Sequence, residues 1–388
     1  MTKRLQESPP PVFCLTNRRA GRPVGGAWSR IEKWLSTAKN PAGRARHARP
    51  ADEEGIRIPL ALLLTALLAT ASPAPAQTVA PAPASLDARL AGDIAPVHDP
   101  AIIREGDTFY LFTTSQQRAG KGLIHIRISN DLADWTRAAP VFAEMPAWVK
   151  DAVPGAGGIW APDVSFSHGE YRVYYSVSTF GSNHSAIGLV TTPSLANPVW
   201  TDKGLVIRSG EYDNFNAIDP NVFDDAQGRQ WLAFGSFWSG LKLVRLDPGT
   251  GLRAEDGEVH AIASRRSPSA IEAPFVVRRG GFYYLFASYD FCCRGAASTY
   301  YTVVGRSKDP AGPYLDRNGK SMMDGGGLRV LHAEIGRERF VGPGHIAILR
   351  ERKQDYIVYH AYDTQARGVP TLRIRPLGWT DDGWPVAH

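Results

Sequence analysis

The chain has 388 residues and a formal net charge of +6, a balance that would suit a nucleic-acid binder if the charge lay on the folded part. It does not: residues 1–76 carry 12 Lys/Arg against 5 Asp/Glu, and the remainder is balanced at 32 against 33. A near-neutral domain lacks the basic face that nucleic acid requires, whereas 10 Trp, 14 Tyr and 15 Phe offer flat apolar surfaces suited to uncharged sugars.

Residues 1–55 are rich in Arg, Pro and Gly without periodicity. They are expected to be a basic extension with no core of its own, disordered or read from a start codon placed too far upstream. Residues 56–76 have the form of a signal peptide: Arg57 supplies the positive flank, residues 58–71 an apolar core, and Ala74-Pro75-Ala76 a small-residue cleavage site. That core is shorter than the roughly 20 residues that span a bilayer, so export to the periplasm or medium is expected, without a stable membrane anchor. Residues 77–90 read as a Pro/Ala linker.

From residue 91 to 388 one pattern repeats five times. A short segment opens a strand: His98-Asp99-Pro100, Trp160-Ala161-Pro162-Asp163, Asn216-Ala217-Ile218-Asp219-Pro220, Ile271-Glu272-Ala273-Pro274 and Gly344-His345-Ile346. A turn follows, then an aromatic strand, as in residues 108–113 (TFYLFT), 171–176 (YRVYYS) and 282–288 (FYYLFAS). Asp99, Ala161, Asp219, Ala273 and His345 share one register, at intervals of 54 to 72 residues. Long repeats filled with short strands predict an all-β fold, a five-bladed β-propeller whose innermost strands begin at one mouth of a central channel. Residues in the shared register then converge there, which places the active site at that mouth.

Asp99, Asp219 and Glu272 are the acids of this set. An isolated Asp-Pro usually makes only a turn. Three acids converging on one mouth would repel one another, and crowding of that kind drives carboxyl pKa values apart. Glycoside hydrolysis requires such a split, with one acid protonated to donate to the leaving oxygen and another ionised. Glu272 is the better donor by reach and by its apolar flanks Ile271, Ala273-Pro274 and Phe275. Asp99 and Asp219 are left unranked as base and modulator.

These segments, with residues 178–183 (STFGSN), 235–240 (GSFWSG), 291–295 (FCCRG) and Gly342-Pro343-Gly344-His345, resemble glycoside hydrolase family 43 and its endo-α-1,5-L-arabinanase branch over roughly residues 91–388. The resemblance implies an inverting hydrolase of arabinan, the polymer of plant pectin, or of arabino-oligosaccharides. Asp99 would be general base, Glu272 general acid and Asp219 the modulator that tunes and orients the acid. It implies a channel ion of the calcium class with His345 as its protein ligand. His98, Trp160, Phe180, Gly181, Asn216, Ala217, Ile218, Ser236, Phe237 and Trp238 would bind substrate, Trp160 and Phe180 by stacking. The alternatives are an exo-acting arabinofuranosidase or β-xylosidase of the same family, and a sugar-binding propeller without catalysis. Nothing specifies an oligomer, so a monomer is expected. Adjacent Cys292 and Cys293 would be a vicinal disulfide or two buried thiols.

Overall fold

The protein is described here by a computed structural model that covers residues 85–116, 121–334 and 336–388. The N-terminal extension, the signal peptide, the linker as far as residue 84, and Cys14 lie outside the described residues. Among those described, the strands form five sheets, antiparallel except where Ala91–Gly92 runs parallel beside Asp134–Arg137. Helix is confined to short turns such as Leu86–Arg89 and Val149–Ala152. No described helix is long and apolar enough to cross a membrane.

Each sheet is a blade built from consecutive segments. The aromatic strands expected from sequence are present as Thr108–Thr113, Glu170–Val177, Gln230–Phe234, Phe282–Tyr289 and Asp355–Asp363. Each pairs with the strand that opens its repeat, across the turn that the sequence marks; Glu105 faces Thr108, Ser167 faces Glu170 and Arg279 faces Phe282. The five opening strands are Ala101–Glu105, Gly158–Ser167, Asn221–Asp224, Ile271–Arg279 and Phe340–Arg350. Each contacts the next and the last contacts the first, which closes the five-bladed propeller.

Apolar residues on both faces of each blade explain why the blades pack. Five buried clusters occupy the seams, for example Tyr110, Phe112, Val173 and Tyr175 between blades 1 and 2, and Val97, Leu111, Ala347 and Leu372 between blades 5 and 1. Polar pins cross the seams as well. Asp163 of blade 2 accepts from the Val222 amide at 2.8 Å, and Asn221 of blade 3 accepts from the Val276 amide at 2.7 Å.

The fold begins slightly ahead of Ala91. Asp87, within the stretch assigned to the linker, is buried and forms ion pairs with Arg373 and Arg375 of blade 5. Val97 donates to the Pro370 carbonyl and Leu372 to the Ile94 carbonyl, so this segment ties the last blade to the first.

Candidate active site

The five register residues share an uncommon backbone state. Asp99, Ala161, Asp219, Ala273 and His345 have φ of 51°, 44°, 60°, 54° and 50°. The left-handed region costs a residue with a Cβ about 1–2 kcal/mol, so something must hold each one there. The holder comes from the preceding blade. The Ala161 amide donates to Thr114 Oγ1 (2.8 Å), Asp219 to Ser176 Oγ (2.9 Å), His345 to Ser288 Oγ (2.9 Å) and Asp99 to His360 Nδ1 (3.2 Å). Thr114, Ser176, Ser288 and His360 occupy one register, in or just after the C-terminal half of each aromatic strand.

Blade 3 breaks the rule, and chemistry follows from the break. Its equivalent residue is Gly235, at φ +128° with Gly240 O 2.9 Å from where a Cβ would sit, so no serine fits there. The Ala273 amide instead donates to Asp219 Oδ2 at 3.1 Å. One oxygen of Asp219 is thereby fixed beside the strand that carries Glu272.

Asp99 is surrounded by imidazoles. His98 Nδ1 lies 2.8 Å from its Oδ1 and His345 Nδ1 3.0 Å from the same oxygen, while Thr114 Oγ1 donates to Oδ2 at 2.5 Å. His98 stacks on His360 at 3.8 Å and reaches Tyr362 Oη through Nε2 at 2.8 Å. Burial alone would raise the Asp99 pKa, but the charges and hydrogen bonds of His98 and His345 hold it well below the usual carboxylate range.

The other two acids move the opposite way. Burial pushes Asp219 up to about 8, with Glu272 and Asp99 adding to the shift against His345. Burial and the nearby Cys293 charge raise Glu272, opposed by hydrogen bonds from Ser236 and Tyr300; Ser236 Oγ donates to Glu272 Oε2 at 2.7 Å. The mouth of the channel thus holds one carboxyl ionised and two that favour a proton, the split that acid–base hydrolysis of a glycosidic bond uses.

The residues expected to bind substrate differ in their surroundings. Trp160 Nε1 and Asn216 Oδ1 are buried and find no hydrogen-bond partner among the described residues. Phe180 is 83% exposed, as a stacking surface must be, whereas Trp238, 39% exposed, lines a cavity with Ser239 and Lys242. Gly181 sits at φ +78° with open space around it, and the Phe237 ring lies near Phe291. Ala217 and Ile218 are buried; Ala217 packs in the seam between blades 2 and 3, and Ile218 O accepts the Gly235 amide, so both shape the strand entry.

Sequence reasoning missed Tyr300, Tyr362 and the four holders. The holders were findable, because they align as readily as the register residues do. Cys292 and Cys293 are both thiols, with Cys293 Sγ 3.9 Å from His98 Nε2. Among the described residues, His98 with both cysteines, and His98 with Asp99 and His360, are the groups of three donors close enough to share a metal; His345 is in neither.

The profile of the family described as "Glycosyl hydrolases family 43" matches residues 94–385. An extracellular endo-α-(1→5)-L-arabinanase of Bacillus subtilis is 43% identical over 291 residues, covering 74% of this chain and 87% of that protein. An extracellular exo-α-(1→5)-L-arabinofuranosidase of Cellvibrio japonicus is 44% identical over 306 residues, covering 74% and 85%. The solved GH43 endo-arabinanase of Bacillus licheniformis is 44% identical with a TM-score of 0.72, covering 76% of this chain and 99% of that one.

Proposed function

The chain belongs to glycosyl hydrolase family 43, and from that premise we propose that it cleaves α-1,5-L-arabinofuranosidic linkages within arabinan, with Asp99, Glu272 and Asp219 as its catalytic acids. The observation that carries the reading is the split at the channel mouth, where Asp99 is held ionised while Glu272 and Asp219 are pushed toward the protonated state. Asp99, fixed by Thr114, His98 and His345, takes a proton from the attacking water. Glu272, buried and oriented by Ser236, gives its proton to the leaving oxygen. Asp219, pinned on the Ala273 amide, is buried near enough to Glu272 that ionisation of one disfavours ionisation of the other, so the pair keeps a proton until transfer. Water attacks the anomeric carbon on the face opposite the leaving group, and the configuration inverts.

The carboxyls of Asp99, Asp219 and Glu272 draw the His345 pKa up to about 9, which supports a positive charge at this position, either a proton or a metal ion that replaces it. A calcium-class ion held by one His345 nitrogen and otherwise by water fits that charge, and when bound it would screen the acids from one another. An extracellular relative and the residue 56–76 pattern support export. A ring closed within one chain supports a monomer.

The test is stereochemical and genetic together. Proton NMR of early products from arabino-oligosaccharides should show the inverted anomer first. Glu272→Gln should lose about 10²–10⁴-fold on arabinan but far less on an aryl arabino-oligosaccharide whose leaving group needs no proton, while Asp99→Asn should lose activity on both. First formation of the retained anomer, or equal losses for Glu272→Gln on both substrates, would sink the assignment. The exo-named relative of equal similarity keeps an end-trimming mode as the second reading.

A further inference from the structure

The residue 235–240 turn borders a cavity of about 630 Å³, lined among others by Phe215, Trp238, Ser239, Lys242, Arg265 and Arg266. Ser236 of this turn serves the acid, whereas Trp238 and Ser239 face the cavity. Among the described residues its lining has three cationic side chains and no carboxylate.

The cations are not all spoken for. Lys242 is only 4% exposed, yet its ammonium meets a single acceptor, Ser239 O at 2.8 Å, and no carboxylate among the described residues. Burial lowers its pKa to about 8, which still leaves it mostly charged at neutral pH. A buried cation with one hydrogen bond is costly unless a partner arrives. Ser239 Oγ is also buried without a partner among the described residues. Arg265 is committed, bonded to Asp290 and stacked over Tyr289, but Arg266 is exposed and forms no ion pair among the described residues.

We propose that this cavity is a second saccharide site, one that takes a carboxylate-bearing sugar, a uronate, beside the hydrolytic cleft. The carboxylate lies between Lys242 and Arg266, Ser239 Oγ takes a ring hydroxyl, and Trp238 supplies an apolar face for the sugar ring. The volume suits one or two sugar rings rather than a small inorganic anion alone. Acidic polysaccharide that carries or neighbours the neutral substrate would be held next to the acids.

The test is calorimetric titration of the full chain with a galacturonate trimer, a neutral galactose trimer and inorganic phosphate. Saturable binding of the acidic trimer is expected, with none of the neutral one, and phosphate should displace it only weakly. Arg266→Ala should weaken binding about tenfold or more. Lys242→Met, near in shape, should do so further. Arg266→Ala should leave hydrolysis of linear neutral arabinan unchanged, which separates this site from the cleft and from the reading of the cleft. Equal binding of the neutral trimer would overturn the charge argument. Phosphate binding as tight as the uronate would make this a small-anion site and overturn the sugar assignment. Unaltered affinity in both variants would place the trimer elsewhere.

Discussion

Replacing Ser176 by alanine tests the ring of left-handed residues at its most consequential point. Ser176 Oγ accepts the Asp219 amide at 2.9 Å, both residues are buried, and Asp219 sits at φ 60°. Alanine leaves a buried N–H without an acceptor, a loss of about 1–3 kcal/mol, or roughly 5- to 150-fold in the unfolding constant. A catalytic loss should accompany it, because Asp219 is the residue whose Oδ2 holds the Ala273 amide in a blade that lacks the hydroxyl. Urea midpoints and kcat measured on the same samples should both fall, with KM little changed. Ser176→Thr, which keeps the hydroxyl, should recover most of each. If Ser176→Ala matched the native protein within about 0.5 kcal/mol and kept full kcat, the hydroxyl would not be what holds the register.

Ser236→Ala removes the donor that lowers the Glu272 pKa, so the alkaline limb of kcat/KM should move to higher pH; a shift to lower pH would contradict the assignment. Burial lifts Asp163 from an ordinary 3.8 to about 7, in the seam where it accepts from Asn221 and Val222. Between these values the folded protein binds more proton than the unfolded chain, so this residue makes stability fall as pH rises from 3.8 to 7, by at most about 1.4 kcal/mol per pH unit. Asp163→Asn should flatten that part of the urea-midpoint profile, and an unchanged slope would show the shift to be absent. Dialysis against a chelator should lower arabinan hydrolysis and added calcium restore it in the native protein but not in His345→Ala; full activity after chelation would remove the ion from the account.

Much of this was legible because the repeat is written in residue types that the geometry needs. The aromatic strand Thr108–Thr113 and the opening strands are visible as aromatic runs bounded by turn residues, and the register of Asp99, Asp219 and His345, with Glu272 one residue ahead of its member Ala273, follows from alignment. Gly235 was legible only as a turn residue. Its role, forcing Asp219 to replace a missing hydroxyl, depends on a close approach by Gly240 O that no local pattern encodes. The His98–Tyr362 and Asp99–His360 contacts join residues more than 260 positions apart across the closing seam, so sequence spacing carries no trace of them. The basic cavity was missed for a similar reason. Lys242 reads as a polar residue in an ordinary strand until the fold buries it without a carboxylate.

The central claim is internal cleavage of arabinan by the acids at the channel mouth, and viscometry of debranched linear arabinan against released reducing ends tests it most directly. The account predicts a steep early fall in viscosity at few reducing ends, with mixed short oligomers as products and neither effect in Glu272→Ala. A single small product with viscosity nearly unchanged would contradict it and make the cleft an end-capturing pocket.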